Sequence, residues 1–170
     1  VQLKGSLIKM AIFKVINQKE NDYLSLHRKV NYIENFCATS ENLIYGTNVS
    51  CFNTYKEMML VKKVFNQSNG KAYNHFILSV EETDEVTEVD FMDVAIDVCD
   101  MIATFRGNYQ VLMAVHTDTD ILHVHYIANN IDYIEGSRVN VNRSYIYEIK
   151  CKINESLELA HLKPIRMKYC

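Results

Sequence analysis

The sequence predicts an α+β domain: a central antiparallel sheet with helices packed mainly on one face. Three observations predict it. Two apolar stretches, residues 109–116 and 122–130, are joined by a polar run too short for the helical crossover that parallel strands need. Residues 87–105 and 144–161 repeat apolar side chains at helical spacing. Strand-like and helix-like segments interleave without an internal repeat, as in one mixed domain of 170 residues with a single core.

The elements follow in order. Residues 1–9 read as an upstream extension or cloning remnant, with a natural start at Met10 and the domain running over 10–170. Residues 10–16 (MAIFKVI) form a strand, and 22–35 a helix carrying Leu24, Lys29, Tyr32 and Ile33. Residues 38–50 are polar and irregular, with Gly46 as a turn. Asn53 is placed to cap a helix that runs to about Phe65 and carries Met58, Met59, Val61 and Val64. A breaker segment, 66–70, precedes a strand over 72–80. There Phe76, Leu78 and Val80 share one face, and Tyr73, His75, Ile77 and Ser79 share a half-exposed one. The helix over 87–105 buries Phe91, Val94, Ala95, Val98, Met101 and Ile102, and turns Asp90, Asp93, Asp97 and Asp100 to water. After the hairpin, Gly136 marks a turn. Pro164 stops the last helix, and 165–168 adds a short strand.

Composition narrows the function. Five cysteines, an odd number with no C-x-x-C pair, argue against a disulfide framework and for a reducing bacterial cytoplasm. No apolar run is long enough to span a bilayer. The net charge of −3 disfavours a nucleic-acid partner only until its distribution is read. Residues 81–100 hold nine acids and no Lys or Arg; the rest of the chain carries 18 basic against 12 acidic residues. An acidic face on an otherwise basic domain leaves another face for a polyanion.

The sharpest local pattern is His116-Thr-Asp-Thr-Asp-Ile-Leu-His123-Val-His125, which holds three of the six histidines. His123 and His125, two apart on a strand, project from one face, and His116 ends the neighbouring strand. Three converging imidazoles suit a metal ion with open positions for water or substrate. Three imidazoles alone suit zinc, nickel, cobalt or another transition metal, whereas a divalent cation that serves phosphoryl transfer need only polarise a phosphate oxygen, which puts manganese or magnesium first for that chemistry. Asp118 or Asp120 is placed to hold a ring N–H. Asn129, on the same face, either holds a phosphate or metal-bound water or simply opens a turn.

With these residues in view the chain resembles the conjugative and mobilisation relaxases of MobP type, within the His-hydrophobic-His endonucleases. The resemblance runs through Val30-Asn-Tyr-Ile33, Gly46-Thr-Asn-Val-Ser-Cys51, Glu57-Met58-Met59, Tyr73-Asn-His-Phe-Ile-Leu-Ser79 and the histidine run. It implies the fold of that group, with Tyr32 as nucleophile, His116, His123 and His125 as ligands, and His75 and Ser79 near the DNA or the site. Asn129 matches the Asn that commonly follows the last histidine. Ile121 stands where the family often has a further histidine. Relaxases usually continue into accessory domains, so this chain reads as the nuclease domain alone.

The implied activity is a site- and strand-specific nick at a plasmid or transposon transfer origin, on single-stranded or supercoiled DNA. Accessory relaxosome proteins and a coupling protein would assist. A tyrosine oxygen that attacks phosphorus conserves the phosphodiester bond energy as a 5′-phosphotyrosine link. Lys56, Lys62, Lys63, Arg138 and Arg143 are candidate phosphate contacts, although a solvated helix face or loop is the favoured reading for any one of them. Two other readings keep parts of this pattern. A rolling-circle replication initiator or transposase shares the chemistry, although those usually place the tyrosine after the histidines. A three-histidine metal enzyme unrelated to nucleic acid needs no Tyr32.

Overall fold

The computed structural model describes residues 10–17, 22–80, 88–119 and 121–167, with side chains from residue 91 in the third segment. The expected extension over 1–9, much of the acidic block and Asp120 lie outside them. Five strands form one antiparallel sheet: β1 (Ile12–Val15), β2 (Ile44–Thr47), β3 (Tyr73–Ser79), β4 (Val111–His116) and β5 (His123–Asn129), in the spatial order β1-β3-β5-β4-β2. Four helices join them: α1 (Tyr23–Ile33), α2 (Thr54–Val64), α3 (Glu88–Thr104) and α4 (Arg143–Leu159). The α+β class and the β4–β5 hairpin are as the sequence predicts.

Side-chain alternation divides the interior. Val111, Met113 and Val115 of β4 and Val124, Tyr126 and Ala128 of β5 point toward α3 and α4, in the larger core. Leu112 and Ala114 of β4 and Ile127 of β5 point the other way, under α1 and α2. The longer helices thus cover one face and the shorter pair the other. The physical reason is legible in β4, which is apolar at successive positions and buried at all of them. It also corrects the half-exposed reading of β3: Tyr73 and His75 are buried because α1 lies over them. The Ser25 and Tyr73 hydroxyls, 2.8 Å apart, pin that helix to the strand.

Three local expectations are revised. Residues 38–50 contain strand β2, and Gly46 sits inside it rather than in a turn. A Cβ there would come within 2.4 Å of the Val49 carbonyl oxygen, so glycine answers a close backbone approach. Asn53 stands at the N-cap position of α2, as expected, but its side chain makes no capping hydrogen bond. The Glu57 carboxylate instead accepts from the Ser50 N–H at 3.0 Å, and the Thr54 hydroxyl donates to the Ser50 carbonyl. Among the described residues, the tail after Pro164 pairs through an isolated bridge between Ile165 and Ala11, not as a strand of the sheet.

Candidate active site

The site lies on the α1 side of the sheet, where β4 ends and β5 begins. His116 and His123 are directly opposed in the antiparallel ladder, and His125 follows two residues on. One ligand-capable nitrogen from each of the three lies within 4.8 Å of the other two. Nitrogens bound to one ion stand roughly 3–3.5 Å apart at metal–nitrogen distances near 2.1 Å.

The ring nitrogens that face away are already committed. His116 Nε2–H donates to the Ile33 carbonyl at 3.0 Å, and His123 Nδ1–H to the Ile121 carbonyl at 3.0 Å. A carbonyl only accepts, so each of these nitrogens carries the proton, leaving His116 Nδ1 and His123 Nε2 with lone pairs. His125 Nδ1 lies 2.8 Å from His75 Nε2, while His125 Nε2 is buried and has no hydrogen-bond partner among the described residues. A buried N–H without an acceptor is costly, so the proton belongs on Nδ1, shared with His75. All three rings therefore present a bare nitrogen, as metal ligation requires.

Electrostatics agree. Burial first, then the neighbouring His116, His75, His123 and Lys29, pushes His125 down to about 2. Burial, Lys29 and His116 bring His75 to about 4. Burial also lowers His116, partly offset by its bond to Ile33. Burial thus favours the neutral form of His116 and His125, two of the three candidate ligands, and of His75 behind them. The donor set thus fits a divalent cation.

Tyr32 reaches this cluster from above. Leu26, Val30 and Ile33, spaced i, i+4, i+7 along α1, are each at most 3% exposed. Their burial contributes about 5–8 kcal/mol toward fixing the helix on the sheet. Tyr32 sits about 100° round the helix from Ile33 and is 52% exposed. Its ring meets His116 and His125 edge-on, with centroids 5.7 and 5.8 Å away. Lys29, one turn earlier, holds its ammonium 5.0 Å from the Tyr32 ring centroid. The sequence places Lys29 on this helix but gives it no role; its i, i+3 spacing from Tyr32 is the signal that points to one.

The other expected residues are placed as follows. Ser79, half-buried, faces His123 across the β3–β5 ladder. Asp118 is exposed; backbone carbonyls hold the ring N–H groups of His116 and His123 in its stead, and its charge adds only a minor upward influence on His116. Asn129 lies four residues along β5 from His125, about 13 Å away. It is fully buried, donates to Gln110 Oε1 at 3.0 Å and accepts from the Lys62 ammonium. That commits it to the interior rather than to a phosphate at the histidines. Lys62 is itself 1% exposed, so it is no surface phosphate contact. Arg138 is spent on the breaker loop, bonding Gln67 Oε1 and the carbonyls of Gln67, Asn69 and Lys71. Arg143 begins α4, which packs on the opposite face of the sheet.

A model of the nuclease domain of MobA/VirD2-like relaxases matches residues 32–161, a span holding Tyr32 and all three histidines. The chain belongs to this relaxase family. The relaxase domain is also similar to protein rlx of Staphylococcus aureus, 24% identical over 152 residues. That alignment takes in 89% of the chain and 42% of the relative, so the chain spans less than half of that protein's length. Among the described residues of the relaxase domain, no helix is long and apolar enough to cross a membrane.

Proposed function

We propose that the domain is a DNA-nicking relaxase in which Tyr32 attacks one phosphodiester at a transfer origin. One observation carries the reading: an exposed phenol stands edge-on to two of three imidazoles that each bring a ligand-capable nitrogen within 4.8 Å of the others. The Tyr32 oxygen forms a bond to phosphorus, and the bond from phosphorus to the 3′ oxygen breaks. The phenol gives up its proton, the released 3′ oxygen gains one, and the 5′ end remains on the protein as a phosphotyrosine. Because one phosphate ester replaces another, the nick can be resealed by the reverse attack.

His116, His123 and His125 would hold the divalent ion, manganese or magnesium first, with zinc, nickel or cobalt also compatible with imidazole. Bound there, the ion supplies positive charge against the non-bridging oxygens of the phosphate. Lys29 brings a second positive charge to the Tyr32 side. His75, through His125 Nδ1, holds one ligand in its binding tautomer. The fuller biology is part of the same proposal: mobilisation of a plasmid or transposon in the bacterial cytoplasm, with relaxosome proteins and a coupling protein as partners.

The test is covalent capture. Single-stranded and supercoiled DNA of the parent element is incubated with protein and a divalent cation, then run on a denaturing gel. The wild type is expected to give a shifted protein–DNA band, abolished by Tyr32→Phe and by chelation. A persistent band in Tyr32→Phe would move the nucleophile to another of the eleven tyrosines.

A further inference from the structure

Two large aromatic side chains beside the site belong to neither core cluster. Phe36 is 62% exposed and Phe52 is 53% exposed. They come from separate segments, the exit of α1 and the turn before α2, yet their rings meet at 6.0 Å between centroids, tilted by 49°. Leaving them in water forgoes the stabilisation that burial would give. Phe52 also carries a backbone cost: its φ is +62°, a left-handed conformation that turns ordinarily assign to Gly or Asn. The surroundings hold it there. Glu34, next to Ile33, accepts the Phe52 N–H at 3.0 Å, and Asn53 N–H closes the turn on the Ser50 carbonyl.

The pair is continuous with the candidate active site. Phe36 follows Tyr32 by four residues, within roughly 14 Å even were the chain fully extended. Its segment is hydrogen-bonded to the ligand strand, since Thr117 N–H donates to the Ala38 carbonyl at 2.9 Å just after His116. A strained, outward-held aromatic pair at the edge of a phosphate site suits a flat apolar ligand attached to a phosphate chain. An unpaired base is that ligand. Its π-face is accessible only outside a duplex, and stacking on phenylalanine is tolerant of base identity.

We propose that Phe36 and Phe52 clamp one base of the single strand next to the phosphate attacked by Tyr32. This rests on the nicking reading above but concerns how the strand is held. Stacking has a readout that phosphate contacts lack, because it requires the base itself.

The experiment compares a fluorescent oligothymidylate with an abasic strand of equal length and charge, titrated by anisotropy. All proteins carry Tyr32→Phe, so cleavage does not enter. Tyr32→Phe alone is expected to prefer the oligothymidylate. Adding Phe52→Gly or Phe36→Ala should weaken oligothymidylate binding roughly tenfold and leave the abasic strand unaffected. Phe52→Trp should keep the preference. Phe52→Gly relieves the positive φ, so its melting temperature should not fall; affinity and folding are thereby separated. Equal losses on both strands, or no loss on either, would overturn the clamp. So would a dimer in sedimentation that Phe52→Gly dissociates with DNA binding intact, since the rings would then serve a protein contact. Absence of any Tyr32–DNA adduct in the otherwise wild-type protein would instead overturn the nicking reading.

Discussion

Replacing Lys62 with methionine tests the electrostatics of the buried end of β5. The Lys62 side chain is 1% exposed, and its ammonium donates to the side-chain oxygens of Asn129 and Asn130, with no carboxylate partner among the described residues. Burial first, and then the charge of Arg138, lowers its pKa to about 7. An unfolded lysine titrates near ~10.4. Between those values the unfolded chain holds the proton more tightly than the native one, so stability rises with pH. Below pH 7 both states are charged and the native state bears the whole cost of the buried ammonium. Carrying the two pKa values through the linkage relation gives about 2.5 kcal/mol of added stability from pH 6 to pH 9.

Lys62→Met keeps the aliphatic volume and removes this proton. It also takes a donor from two amide oxygens, at about 1–3 kcal/mol each, but that loss does not depend on pH. The assay is urea unfolding of both proteins across pH 6–9 under reducing conditions. The difference in unfolding free energy should tilt toward the wild type as pH rises, by about 2.5 kcal/mol over the range. A difference that stays flat would refute the claim that burial destabilises the charged form.

Two further outcomes are expected. His75→Leu should lower affinity for cobalt or manganese about 10–100-fold by titration calorimetry, while His75→Gln, which retains an acceptor for His125 Nδ1–H, should recover most of it. Unchanged affinity in His75→Leu would remove His75 from the orientation of His125. Asn142→Ala deletes the side-chain acceptor of the Tyr145 N–H, a 2.9 Å cap on α4, and should cost about 1 kcal/mol in denaturant unfolding. Covalent capture should be unaffected, since α4 packs on the far face of the sheet.

The histidine cluster was the most readable part of the sequence because strand geometry alone carries it. A period of two puts His123 and His125 on one face, and a short hairpin brings His116 across from them. Tyr32 was readable only through its motif, since helical spacing does not distinguish an exposed phenol from a packing one. Strand β2 escaped notice because Gly46 interrupts its alternation and pairing with β4 decides its conformation. Asn129 and Arg138 are only candidates for a phosphate in the sequence, because polar residues near a motif invite that reading. Their commitments to Lys62 and to the 66–71 loop are tertiary, and no local pattern announces them. The Phe36–Phe52 contact joins two segments whose approach depends on the docking of α1.

The hydrogen bond from His116 to the Ile33 carbonyl has a consequence for assembly. Ile33 is the last residue of α1, so its carbonyl belongs to a helix terminus that lacks an internal partner, and an imidazole caps it. If α1 detached, His116 would lose the acceptor that fixes its proton on Nε2 and could turn an N–H toward the ion. On the proposed mechanism nucleophile and ligand are interlocked: the helix that would deliver the phenol also sets the tautomer of the ring beneath it, and a half-docked chain would be inert on both counts.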